Sequence, residues 1–220
     1  MPGFILHLTA AKMLLDKFHI PVDRNAFYIG SLLPDTTEDK AISHFRDAQR
    51  RSKMVEYPEV DVFAEKYRTL LTESSALGYH YHLYIDRIFL KDFYPMVLKY
   101  LNADKVEEEE RNKVVWAYIC KTKEIVPVRQ FLSEEYYYGD FTRMNRWLVD
   151  KYQLPLNLDP FVKNPGIEEV DYRKAEIVLG QLKSYMNQSV EMINELKVFD
   201  IEELLIFLEN AAAEWYRTNC

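Results

Sequence analysis

Six glycines in a chain of 220 residues constrain the fold more than any other feature. Tight β-hairpins draw on residues that tolerate positive φ, so so few glycines suit a turn-rich sandwich or barrel poorly. A hydrophobic fraction of 48% supplies enough apolar surface for a buried core and excludes a disordered chain. Helical periodicity fills the space that the missing turns leave. Between residues 4 and 18, His7, Ala11, Leu14 and Phe18 fall on one stripe, the recurrence of an amphipathic helix. The expected fold is all-α, with residues 1–220 forming a single multi-helix domain.

Further helices are expected over 60–71, over 74–90 with its GYHYHLYID segment, and over 105–126. The last of these carries acids in its first turns and bases toward its end, which matches the helix macrodipole. The run Glu107 to Glu110 reads as its solvated start. Gly139-Asp140 reads as a turn and N-cap before a helix reaching Tyr152, and the tyrosines 136–138 as packing residues. Pro155, Pro160 and Pro165 mark an irregular crossing, and two amphipathic helices are expected over 172–198 and 201–217. No composition shift divides the chain.

Charge and cysteine usage narrow the function classes. With 28 Lys and Arg against 35 Asp and Glu, the formal charge is −7, which argues against general nucleic-acid binding or adhesion to an anionic membrane. Two cysteines, Cys120 and Cys220, provide neither a disulfide framework nor a CxxC metal motif. The first residues lack the features of a secretory signal, and no run approaches the length of a membrane span. A cytoplasmic protein without a transmembrane segment is expected.

The histidines carry the chemistry. All five, His7, His19, His44, His80 and His82, lie in the first 82 residues. His82 and Asp86 form an HxxxD pair whose four-residue spacing puts both side chains on one helix face, a common way to present two metal ligands. His80 turns about 200° away from His82. Gly78, four before His82, allows close approach on the His82 face. A transition-metal ion needs imidazoles and carboxylates from several elements. His7 on the inner stripe, Asp35 after Pro34, and His44 before Phe45 are the remaining candidates. Taken singly, His7 fits a core histidine, Pro34-Asp35 a turn, and His82 with Asp86 a helix-stabilising pair. Taken together, a metal site is the more economical account, whereas His19 and His80 read as surface or packing residues.

The order His7, FYIGSLLPD ending at Asp35, SHF with His44, and GYHYHLYID with His82 and Asp86 resembles the zinc-dependent phospholipase C family and its related single-strand nucleases. The resemblance covers about the first 90 residues. It implies an all-α hydrolase in which Asp86 bridges two zinc ions, His44 and His82 complete one site, and His7 serves the second. Asp35 would be a ligand or the catalytic base that orients water. The α-amino group, freed if Met1 is removed before Pro2, would be a further ligand. Family enzymes hold a third metal with two more histidines and a glutamate. No histidine follows His82 here, so one or two ions are expected. The family's secreted phospholipases carry a signal sequence that the first residues lack, so phosphatidylcholine is not the expected substrate.

The expected activity is metal-assisted hydrolysis of a small phosphoester, a phosphodiester or phosphomonoester, with Zn2+ or alternatively Mn2+, Fe2+ or Ni2+. Arg46 and Arg87, beside the motifs, are the available phosphate-binding cations, with surface solubility as their simpler role. An HD-type phosphohydrolase is disfavoured because no histidine precedes an aspartate directly. The alternative is a helical binding or scaffold protein that keeps a structural or vestigial metal.

Overall fold

The computed structural model describes residues 3–187 and 189–220 of the chain. The first half is helical: α1 (Phe4–Lys17), α2 (Arg24–Leu32), the single turn α3 (Lys40–Ser43), α4 (Val60–Lys66) and α5 (Ser74–Ile88). Asp23 caps α2 by accepting from Ala26 N at 2.8 Å. At the other end of α2, Pro34 leads a 3-10 turn, Leu33–Thr36, that swings the chain round at Asp35. After α5 a π turn, Phe89–Phe93, runs into α6 (Tyr94–Val97).

Helices α2 and α5 meet backbone to backbone. A Cβ on Gly30 would stand 2.0 Å from Ser75 O, and one on Gly78 would stand 2.1 Å from Phe27 O. Neither position admits a side chain without separating the helices. The close approach at Gly78 expected from the sequence is thus made by the α2 backbone. Around this crossing, Phe27, Tyr81 and Trp215 form a buried aromatic centre.

The chain is not purely all-α. Strands β1 (Leu98–Leu101), β2 (Trp116–Ile119) and β3 (Glu124–Pro127) make a three-stranded antiparallel meander where a helix over 105–126 is expected. Leu98 lies opposite Ile119, and Ala117 opposite Val126. Ala117 and Ile119 are buried while Tyr118 between them is half-exposed, the period-2 pattern of a strand. Glycine scarcity does not prevent the turns. Lys105 and Lys123 adopt left-handed conformations at φ 62° and 60°, and Asn102 Oδ1 accepts from Asp104 N and Val106 N. The acidic run is a connection and not a helix start: Glu109 O accepts from Met54 N at 2.7 Å, and Glu110 pairs with Lys53 at 2.8 Å.

Helices α7 (Val128–Phe131), α8 (Tyr137–Tyr152), α9 (Ala175–Ser184) and α10 (Ile201–Asn219) complete the described elements. The helix expected over 172–198 is interrupted, because Ser189 Oγ accepts from Glu191 N and starts a separate 3-10 turn, Val190–Glu195. Asp140 is not an N-cap; it lies inside the first turn of α8. Its carboxylate accepts from the backbone N–H groups of Lys197, Val198 and Phe199 at 3.0, 2.7 and 3.0 Å, fixing the approach to α10. The proline-marked crossing is held at the surface by reciprocal hydrogen bonds between Asn25 and Asp159. Among the described residues, no helix is long and apolar enough to cross a membrane.

Candidate metal centre

Four elements bring His7, Asp35, His44, His82 and Asp86 together. His7 comes from α1, Asp35 from the 3-10 turn, His44 from the end of α3, and His82 with Asp86 from α5. His7 Nε2 stands 3.2 Å from Asp86 Oδ1 and 3.9 Å from Asp35 Oδ2. His44 Nε2 stands 3.2 Å from Asp86 Oδ2 and 3.7 Å from Asp35 Oδ1. His82 Nε2 lies 3.8 Å from Asp86 Oδ2 and 3.2 Å from His44 Nε2. The rings of His7 and His82 are stacked at 3.7 Å.

Local structure aims these groups. The contact of α2 with α5 places Ser31 O 2.8 Å from His82 Nδ1. A carbonyl only accepts, so Nδ1 carries the proton and the neutral ring directs its Nε2 lone pair into the cluster. Burial, and then His7, push His82 down to about 3, which keeps it neutral. His44 is turned inward by Phe45, whose φ of 51° is left-handed and ends α3 without glycine. Phe45 is held there against Phe63 and Tyr67. Tyr79 Oη donates to Ser43 O at 2.6 Å and fixes the same corner.

The donor set fits a cation. Both oxygens of Asp86 and both ring nitrogens of His7 are buried without a hydrogen-bond partner. Burial raises the Asp86 carboxyl, but the His44 and His7 rings beside it outweigh this and hold it well below the usual carboxylate range. An ionised Asp86 and a neutral His82 are forms that bind metal. Two overlapping groups, His7 with Asp35 and His82, and His44 with His82 and Asp86, each bring ligand atoms within 4.8 Å of one another. A buried His/Asp cluster of this kind could hold a metal ion, and nitrogen with oxygen donors leaves the metal's identity open.

Asp35 connects the cluster to the outside. It lines a cleft of about 480 Å³ together with Phe4, Lys40, Tyr138, Phe141 and Asn145. Lys40 Nζ donates to Asp35 Oδ1 and, at 3.1 Å, to Asp35 O. Burial raises the Asp35 carboxyl, and His82, His44, Lys40 and His7 together bring it below its ordinary value. A larger groove of about 960 Å³ runs beside the proline-marked crossing and contains no other member of the cluster and not Asp35.

The remaining sequence candidates fall elsewhere. His80 accepts from Trp215 Nε1 at 3.2 Å on the opposite face of α5, a packing role. His19 is exposed. Arg87 pairs with Asp61 at 2.9 Å, and Arg46 forms a backbone bridge with Pro58; neither lines the cleft. Of the three tyrosines, Tyr136 and Tyr137 are buried and Tyr138 alone faces the cleft. The α-amino ligand considered above involves Met1 and Pro2, which lie outside the described residues. Lys40, Tyr138, Phe141 and Asn145 were not legible as a group, since α8 meets the cluster only through tertiary packing.

Comparison with known proteins gives no relative to place beside this geometry: no family model, no curated protein and no solved structure matches the chain.

Proposed function

We propose that the chain is a metal-dependent hydrolase of small phosphoesters, as the phospholipase C-type motif order implies. The observation that supports this reading most is the set of orphaned buried donors, His7 and Asp86, beside an ionised Asp35 that opens onto a cleft. His7, His44, His82 and Asp86 would hold one or two ions, zinc being the first choice for imidazole with carboxylate, and Asp35 would serve the attacking water. Bound zinc supplies Lewis acidity, activating water and offsetting phosphoryl charge.

The chain's own residues supply the rest. Asp86, beside both His7 and His44, is placed to join the two halves of the donor set. Ser31 O holds the His82 tautomer. Asp35 is the member that meets the cleft, so it orients the attacking water and takes its proton at Oδ2, the oxygen that Lys40 does not occupy.

Metal analysis and turnover on one preparation test the proposal. Purification with zinc should leave on the order of one or two ions per chain, and fewer than about 0.2 would overturn the metal site. Phosphomonoester and phosphodiester panels should show turnover that chelator abolishes. Asp86→Asn should lower it by roughly a hundredfold or more. The near-complete burial of His7, His44, His82 and Asp86, each at most 1% exposed, favours one other reading, a non-catalytic helical protein with a structural metal. Retained zinc without turnover on either panel would favour that reading.

A further inference from the structure

We infer that Lys40 is the phosphoryl-binding residue of this site, holding a substrate phosphate oxygen beside Asp35. The inference rests on the hydrolase reading above and assigns the contact that its substrate would make with the protein.

The geometry of α3 carries the argument. Lys40 and His44 are four apart, so one helical turn projects both toward the same carboxylate. Lys40 Nζ donates to Asp35 Oδ1, and His44 Nε2 stands 3.7 Å from the same oxygen. Asp39 caps that turn, accepting from Ala41 N at 3.0 Å and Ile42 N at 3.2 Å, which fixes where Lys40 leaves the backbone. The ammonium group has three donors. Two are taken by Asp35 Oδ1 and Asp35 O. The third has no protein acceptor among the described contacts, and the side chain is 34% exposed toward the cleft.

Charge points the same way. Among the described residues Lys40 is the one cation lining the cleft, which also holds the carboxylates of Asp35 and Glu134. A phosphoester beside Asp35 would lie next to this ammonium, the one cationic side chain among the described cleft residues. Lysine suits the task as a compact point charge with rotatable donors. The arginines next to the motifs cannot substitute, since Arg87 is engaged with Asp61 and Arg46 does not line the cleft.

Calorimetric titration of inorganic phosphate into zinc-loaded protein, with zinc content measured on the same samples, tests the assignment. Wild type should bind phosphate, and Lys40→Met should keep its zinc and helical circular dichroism while binding phosphate roughly tenfold or more weakly, the loss expected for one charge-assisted hydrogen bond. Lys40→Arg, which keeps the charge, should recover to within about threefold of wild type. Equal phosphate binding by zinc-loaded wild type and Lys40→Met would overturn the inference. So would loss of zinc from Lys40→Met, because Lys40 would then act on the ligand set. Absence of zinc from wild type itself would overturn the metal-hydrolase reading instead, and the two failures are therefore distinguishable.

Discussion

Asp86 and Asp140 are both fully buried, yet the protein treats them in opposite ways. Asp140 is saturated from within: three backbone N–H groups and Arg143 Nη1 donate to its two oxygens at 2.7 to 3.0 Å. Neither oxygen of Asp86 has a hydrogen-bond partner, although three imidazoles surround it. Burying a carboxylate is costly unless it is paired and hydrogen-bonded. Asp140 meets that cost with its own chain and fastens α8 to the segment before α10. Asp86 leaves its lone pairs facing other donors, an arrangement that a cation would complete. Burial alone therefore does not identify a site; the state of the lone pairs does.

Removing the two groups should separate these roles. Asp140→Ala leaves three backbone N–H groups without acceptors and should cost about 5 kcal/mol or more, with or without zinc, in denaturant unfolding. A loss under about 2 kcal/mol would show that the 197–199 segment finds other partners. Zinc sharpens the contrast next. At a free concentration near 1,000 times its dissociation constant, it should raise wild-type stability by about 4 kcal/mol. Asp86→Asn should lose most of that gain. A full zinc response in Asp86→Asn would place the ion away from Asp86.

The same contrast explains what the sequence could and could not disclose. His82 and Asp86 sit four apart on one helix, a local relation that spacing alone makes visible. His7, Asp35 and His44 are legible as residue types in order, but their convergence is a tertiary event that joins α1, the turn after α2 and the end of α3 to α5. Asp140 after Gly139 suits an N-cap on local grounds, but the backbone N–H groups it accepts from lie more than fifty residues away. The sheet escaped for a different reason. Few glycines argue against tight turns, yet Lys105 and Lys123 take the left-handed positions here. The acid-to-base gradient over 105–126 suits a helix macrodipole, but the strand alternation of Ala117 to Ile119 prevails once Leu98 and Val126 offer pairing and packing.

Two histidines of α5 extend the comparison to pH. His80 accepts a hydrogen bond from Trp215, whereas His82 directs Nε2 into the metal cluster. Burial lowers His80 to about 4, against an ordinary value near 6.5. Between those values the unfolded chain binds a proton that the folded chain refuses, so stability rises with pH and is lost on acidification from about 6.5 toward 4. In chelator-treated protein, His80→Phe should flatten this limb by up to about 1.4 kcal/mol per pH unit, roughly 3 kcal/mol over the window. Urea unfolding at half-unit pH steps measures it. An unchanged slope would mean that His80 titrates alike in the folded and unfolded states, even though an imidazolium has no lone pair left to accept from Trp215.

The smallest effect probes Asp140 again. If its charge is held mainly by backbone N–H groups, then Arg143 is an accessory partner, and Arg143→Met should cost about 1 to 2 kcal/mol. Arg143 also donates to Glu134 O and Glu135 O at 3.1 and 3.3 Å, so part of that loss belongs to the entry of α8. The zinc response should stay at its wild-type size, since no member of the metal cluster touches Arg143 in the described contacts. Paired unfolding curves with and without zinc measure both quantities. A loss as large as that of Asp140→Ala would make Asp140 half of an ion pair that depends on its cation. Asp140 and Asp86 would then differ only in which cation each requires, a side chain in one case and an ion in the other.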